Sequence, residues 1–402
     1  MYDWAILMEW LEFAVRWLHV IVGIAWIGSS FYFIALDLGL NRSIPGPADG
    51  EEWQVHGGGF YHIQKYLVAP ERMPEDLTWF KWESYSTWLS GAALLALVYW
   101  LGAEFYLIDP QVADLAVWQA VLISGASLAV GWVIYDQLCK SPLGVHATTL
   151  MVVLFGVLVA MAWFYTQVFS GRAALLHLGA FTATIMSANV FFIIIPNQKI
   201  VVADLKAGRV PDAKYGVIAK QRSTHNNYLT LPVIFLMLSN HYPLAFATPY
   251  NWIIASLVFL MGVTIRHYFN TMHARKGQPN WTWAATAVIF LAIAWLSVAP
   301  APVEEEAAMT RGAERFAAVE SFDEIHRIVT GRCSMCHAEE PVWPGLHWAP
   351  KGVVLETPEQ VAAGARGIAM QSGWSHAMPP GNLSFMTDEE RAAIRAWYVA
   401  AR

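Results

Sequence analysis

Hydrophobic positions fill long unbroken blocks through the first three hundred residues, and polar positions gather between them. A membrane span needs about 20 mostly apolar residues. The stretch 17–36 is charge-free and of that length; 84–103 and 115–135 are two more, and 141–171 and 173–198 hold one each. The block 223–265 is too long for one helix. It breaks at 239–249, where Pro243 and Pro249 punctuate a turn, so it reads as two spans. The block 281–299 is the eighth. The pattern then changes. Residues 300–317 are a Pro/Ala/Glu linker, and 318–402 read as a small soluble unit. Within it, "FDEIHRIVTG" predicts an opening helix. "MTDEERAAIRAWYVAAR" predicts a closing one, with Thr387 as N-cap, Glu390 completing a capping box, and Ile394, Trp397 and Tyr398 on one apolar face. The expected class is all-α: a polytopic membrane bundle over 1–299, then an all-α domain over 318–402.

Composition agrees. The chain is 56% hydrophobic and 14% charged, against about 25% charged in ordinary globular domains. Three cysteines are too few for a disulfide framework. No basic n-region marks a cleavable signal peptide at the start. With residues 1–10 outside, the inner connections 37–83, 136–140, 199–222 and 266–280 hold 4, 1, 6 and 3 Lys and Arg, fourteen in all. The outer connections hold one, Arg172. That bias sets the inner side as cytoplasmic and, with an even number of spans, puts both termini in the periplasm of a bacterial inner membrane. Lipid is an expected partner; nucleic acid is not.

The tail carries "GRCSMCHAEE", in which Cys333, Cys336 and His337 form a c-type haem attachment motif. The cysteines would make the thioethers and His337 would give the proximal nitrogen. The second axial ligand should lie downstream. Met378 in "HAMPPGN" is the candidate, with His376 or His347 as alternatives. A thioether ligand raises the haem potential, as suits an electron carrier. Haem c is attached outside the cytoplasm in bacteria, which agrees with the charge bias. Helix, motif, Met loop and closing helix together resemble a class I cytochrome c.

Polar residues inside spans are costly and mark function. His19 in the first span and His177 in the fifth lie in the outer half and are candidate ligands of a membrane haem b; the alternative is interhelical hydrogen bonding. A second collection gathers at the inner side: Gln198; Arg222, Thr224, His225, Asn226 and Asn227; and Arg266, His267, Asn270 and His273. Amides, imidazoles and guanidiniums at this density suit a flat, polar, anionic molecule. "HGGGF" at 56–60 is a weaker candidate for backbone approach to a ligand. No His-His pair exists, which sets aside a haem-copper oxidase.

Three segments, "EFAVRWLHVIVGIAWIGSSFYFIALD", "ANVFFIIIPNQK" and "QRSTHNNYLTLPVIFLMLSNHYP", resemble the membrane-bound urate oxidase (urate hydroxylase) family, whose members fuse an eight-span domain to a cytochrome c. The resemblance implies oxidation of urate to 5-hydroxyisourate. Electrons would leave through haem c to a respiratory cytochrome c or terminal oxidase. On that reading His225 or His267 is the catalytic base. Arg222 or Arg266 pairs the urate anion, and Thr224, Asn226, Asn227 and Gln198 complete the substrate site. The competing class is a quinol-oxidising electron-transfer protein; a third is a transporter or assembly factor with a redox-sensing tail.

Overall fold

Apolar runs become helices because a segment away from water must satisfy its own backbone groups, and a helix does so within one segment. The computed structural model describes residues 4–66, 73–110, 112–299, 309–344, 346 and 349–401. His347 and residues 300–308 of the linker lie outside the described residues. In chain order the helices of the first part are α1 (Trp4–Gly39), α2 (Trp82–Leu94), α3 (Ala103–Tyr106), α4 (Val117–Lys140), α5 (Ala147–Thr166), α6 (Gly171–Ala188), α7 (Ile195–Lys206), α8 (Lys214–Ser239), α9 (Pro243–Phe246), α10 (Asn251–His273) and α11 (Trp281–Ser297). Among the described residues, five helices are long and apolar enough to cross a membrane: Ile6–Gly39, Val117–Lys140, Ala147–Thr166, Gly171–Lys206 and Asn251–His273. Trp281–Ser297 is apolar but shorter.

The block at 84–103 is α2 continued by a π-helical turn, Leu95–Trp100. A second π turn, Asn189–Ile194, joins α6 to α7 just before Pro196. The wider turn suits a proline, which can offer no N–H to the ladder. The expected break at 239–249 falls between α8 and α10, with α9 inside it. Glycines let the helices cross closely. A Cβ on Gly131 of α4 would meet the Phe181 ring of α6 at 1.9 Å, and one on Gly262 of α10 would meet Pro232 of α8 at 2.5 Å. Small residues at such crossings are how apolar helices gain contact where burial gives no drive.

The all-α expectation needs one correction. After α1 the chain forms an antiparallel hairpin, β1 (Gly50–His56) with β2 (Gly59–Lys65). Gly57 and Gly58 turn it with φ of +58° and +81°, the left-handed pair that a two-residue hairpin loop requires. The glycines at 57–59, expected as a ligand-approach loop, are spent on this turn.

The second part folds around its own core. Its helices are α12 (Arg311–Ala317), α13 (Phe322–His337), α14 (Pro358–Ala363), α15 (Ala365–Ile368) and α16 (Asp388–Ala400). Phe316, Ile325, Val329, Ile394, Trp397 and Tyr398 are buried together. The Trp397 indole donates to the Phe316 carbonyl at 2.9 Å. The capping box of α16 is present: the Glu390 amide donates to Thr387 Oγ1 at 3.2 Å, and the Thr387 amide donates to Glu390 Oε2 at 2.8 Å.

Candidate functional site

The polar half of α8 is buried, and successive residues on a helix turn by about 100°. Its polar side chains therefore serve two faces. Arg222, His225 and Asn226 turn toward α4 and the π turn; Asn227 turns toward α10.

The first face pairs its charges and amides among themselves and leaves one buried donor, Arg222 Nε, without a hydrogen-bond partner among the described residues. Arg222 Nη2 donates to Asp136 Oδ1 at 2.8 Å, and its guanidinium lies over the Tyr135 ring at 4.9 Å. Asn189 Nδ2 donates to the Tyr135 hydroxyl and to Asn226 Oδ1, both at 2.9 Å; Asn226 Nδ2 donates to the Met186 carbonyl at 3.0 Å. The Tyr135 hydroxyl sits 2.8 Å from His225 Nδ1. The hydroxyl oxygen accepts from Asn189 and shares a hydrogen bond with His225, whose tautomer decides which of the two donates. The buried cation has a carboxylate, and most of the amide atoms have partners.

The second face is open. Arg266 is buried, and among the described residues it forms no ion pair with a carboxylate. It donates to Asn270 Oδ1 at 3.1 Å and Asn227 Oδ1 at 3.4 Å, and its guanidinium lies 4.2 Å over the Phe31 ring of α1. Asn227 Oδ1 also accepts from Asn270 Nδ2 at 2.9 Å, which fixes the amide orientation. That leaves Asn227 Nδ2 buried with no hydrogen-bond partner among the described residues, and His273 Nδ1 is in the same condition. Residues 266, 270 and 273 are spaced i, i+4, i+7 and share one stripe of α10. A buried unpaired cation costs several kcal/mol, and an orphaned buried donor about 1–3 kcal/mol. An anion with acceptor oxygens, seated here, offsets both.

The structure thus separates the expected residues. Arg222, His225 and Asn226 fall on the closed face, and Asn227 and Arg266 on the open one. His267, Thr224 and Gln198 stand outside both and are exposed. His267 is turned 100° from Arg266 and its ring lies 6.2 Å from Trp281. The Thr224 hydroxyl folds back on the Lys220 carbonyl at 2.9 Å. Tyr135, Asp136 and Asn189 were not singled out in the sequence. Asn189, an amide inside the apolar run "ANVFFIII", was the available signal. Asn270 and His273 were visible in the polar collection but had no role.

Near the middle of α1, His19 Nδ1 is 3.0 Å from Ser90 Oγ, and the ring lies so close to α2 that a Cβ on Gly91 would meet it at 3.0 Å. His177 is fully buried. Its Nδ1 donates to the Ala173 carbonyl at 2.8 Å, so Nε2 accepts from the Ser124 hydroxyl, also at 2.8 Å. Tyr99, Tyr165 and Phe169 surround the ring. With both ring nitrogens of His177 committed, this pair as placed does not fit a bis-histidine haem b; interhelical hydrogen bonding describes it.

In the tail, Cys333, Cys336 and His337 end α13. His337 Nδ1 donates to the Val353 carbonyl at 2.8 Å, which leaves Nε2 free, the tautomer a metal-binding imidazole needs. Met378 is held by its backbone: its amide donates to the Gln371 carbonyl at 2.8 Å, and its carbonyl accepts from buried Arg391 at 2.9 Å. His376, the alternative, is exposed beside Asp388 at 3.7 Å. Two thiols, an imidazole with a free Nε2 and an anchored thioether fit the donor set of haem c.

No curated protein and no solved structure matches the chain. Residues 5–297, the whole of the helical bundle with its two-faced α8, match the model of the urate oxidase N-terminal family, and the chain belongs to that family.

Proposed function

We propose that the chain is a membrane-bound oxidoreductase that converts urate to 5-hydroxyisourate and passes the electrons to a covalent haem c on its tail. The observation that carries this is Arg266, a buried guanidinium that among the described residues has no carboxylate and lies beside an Asn227 Nδ2 with no partner. Urate is a planar monoanion near neutral pH, edged with carbonyl oxygens and N–H groups. In this reading Arg266 pairs the anion, Asn227 Nδ2 donates to a carbonyl oxygen and Asn270 reads the neighbouring edge. Phe31 flanks the guanidinium. The balance is urate + H2O → 5-hydroxyisourate + 2 H⁺ + 2 e⁻: a C5–O bond forms and water and the purine each lose a proton. His273 Nδ1, buried on the Arg266 stripe, is our choice of general base.

The bundle makes eight spans in this reading, with the hairpin end cytoplasmic and the tail periplasmic. The five long apolar helices support it, together with α11, the α2 run and α8. Cys333, Cys336, His337 and Met378 would hold haem c, whose iron would supply a one-electron acceptor, and a respiratory cytochrome c or terminal oxidase would take the electrons onward. The test is anaerobic optical titration of the oxidised full-length protein with urate, followed at the haem α-band. Urate should reduce the haem, and Arg266→Gln should block this while dithionite still reduces it.

One observation favours a quinol instead. A groove of about 460 Å³ on the membrane face is lined by Trp82, Tyr85, Trp88, Trp132, Phe191 and Phe192, a surface suited to an apolar ring. If a quinol reduces the haem and urate does not, the urate reading is overturned.

A further inference from the structure

The tail is seated on the bundle through paired charges. Arg366 Nε donates to Glu9 Oε1 at 2.7 Å, and Arg366 Nη2 donates to Glu12 Oε2 at 3.1 Å. Arg311 pairs Asp114 at 3.2 Å, and Arg315 pairs Glu104. Three arginines of the tail thus meet four carboxylates of the bundle's outer rim. Burial lowers the Arg366 pKa, but Tyr106, Glu9 and Glu12 more than reverse this and raise it, so the guanidinium stays charged in place. Apolar contacts complete the seam. The Phe105 ring packs against Phe316 at 5.8 Å and joins the tail's core. The Tyr106 ring has the Arg366 guanidinium at 5.7 Å and that of Arg172 at 5.1 Å.

The seam also touches the chain beside the haem motif. A Cβ on Gly352 would lie 3.0 Å from Pro243 of α9, and the next residue, Val353, holds His337 Nδ1 at 2.8 Å. The chain beside Pro243 of the bundle's outer loop, at Gly352, is thus one residue from the carbonyl that accepts from His337. Distance makes the seating matter. Phe31, under Arg266, and Glu12, at the seam, are 19 residues apart on α1, about 28 Å at 1.5 Å per residue. That is close to the thickness of a hydrocarbon core.

We propose that this seam is the electron-transfer junction of the molecule: the seated tail is the electron-accepting state, and Arg366, Arg315 and Arg311 are the positioning residues that hold it there. The proposal rests on the urate reading. Each urate releases two electrons and two protons as above, and each electron crosses the seam singly to an iron(III) haem. An oxidised one-electron carrier must then collect it, and the carrier meets the tail on a surface away from the seam.

The experiment uses the full-length holoprotein and a lock. A Cβ on Gly312 would lie 3.1 Å from Glu104 Cβ, near the roughly 3.8 Å of disulfide-bonded residues, so Gly312→Cys with Glu104→Cys should close a disulfide across the seam. Three readings are taken anaerobically: disulfide yield against salt, haem reduction by urate in a single turnover, and urate consumption with ferricyanide as acceptor. Arg366→Glu should cut both the disulfide yield and the haem reduction rate about tenfold or more. Glu9→Arg with Glu12→Arg should restore them, and the closed disulfide should restore the reduction rate of Arg366→Glu and remove its salt dependence. The proposal is overturned if the locked tail reduces more slowly than the free one, or if Arg366→Glu changes neither yield nor rate, while urate is still consumed with ferricyanide. Loss of urate consumption with ferricyanide in the unmodified protein overturns the urate reading and this junction with it.

Discussion

The two faces of α8 carry nearly the same chemistry, an arginine, amides and an aromatic ring, yet they are finished differently. On one, Arg222 has the Asp136 carboxylate, and Tyr135, Asn189 and Asn226 bond one another, so the charge is balanced although Arg222 Nε has no partner among the described residues. On the other, Arg266 has amide oxygens and a phenyl ring, and Asn227 Nδ2 and His273 Nδ1 have no partner among the described residues. A network that satisfies itself needs no ligand; its value lies in fixing how α4, α8 and the π turn pack. A network left one anion short is stable only if something else completes it. The lesson is that polar density does not distinguish scaffold from site, but the balance of partners does.

The sharpest way to break this contrast is to remove one half of the closed pair. Asp136→Ala leaves Arg222 buried without a carboxylate, a change that costs about 3–5 kcal/mol. A large drop in thermal midpoint in detergent is expected, with urate affinity kept at temperatures where the protein is still folded. Asp136→Leu with Arg222→Met should recover most of the loss, since apolar replacements of a buried pair are often neutral. If Asp136→Ala leaves the midpoint unchanged and abolishes urate oxidation, the closed face is the site and the comparison is inverted.

On the open face the expectation reverses. Arg266→Gln removes the anion's partner and relieves an unpaired charge. It should cost about 2–4 kcal/mol of transition-state binding, roughly 30- to 1000-fold in kcat/KM. The thermal midpoint should hold or rise. Loss of stability together with activity would mean that Arg266 is structural and that an unseen group neutralises it.

Tyr135→Phe sharpens the comparison further. The hydroxyl is the hinge of the closed network, and its loss leaves Asn189 Nδ2 with one partner fewer and exposes His225 Nδ1. About 1–3 kcal/mol of stability should go, with kcat/KM altered by less than the Arg266 change. The pH profile of kcat/KM should keep its shape if His273 is the base. A moved profile would put the proton transfer on the His225 side and overturn that choice.

Much of the architecture was legible because the bundle is written in long apolar blocks. The break at Pro243 and Pro249 and the capping box at Thr387 and Glu390 are local patterns, and the structure has both at the expected positions. The hairpin at 50–65 was not read. Its strands run seven residues each, and its glycines suggest ligand approach before they suggest a turn. At the site, the residue types and the bundle end were legible and the grouping was not. Periodicity shows that 222, 225 and 226 differ in direction from 227. It does not show that Asp136 of α4 arrives to neutralise Arg222 while, among the described residues, no carboxylate arrives for Arg266. That information lies in which helices pack together, and one glycine opposite Phe181 or Pro232 sets it as much as any polar residue.

The smallest effect expected is a null one, and it calibrates the rest. Thr224 sits among the closed-face residues in sequence and His267 among the open-face ones, but both point away, His267 toward Trp281 and Thr224 back onto its own helix. Exposed positions without buried partners change stability by within about 0.5 kcal/mol. His267→Ala and Thr224→Ala should therefore leave the thermal midpoint within about a degree or two and kcat/KM within about twofold. Such a null result means that position on the helix, and not residue type, decides which imidazole or hydroxyl matters. A large fall in kcat/KM for His267→Ala would instead place the substrate on the outer side of α10, between His267 and α11. Both faces of α8 would then be scaffold, and the distinction between a finished and an unfinished network would lose its meaning for this protein.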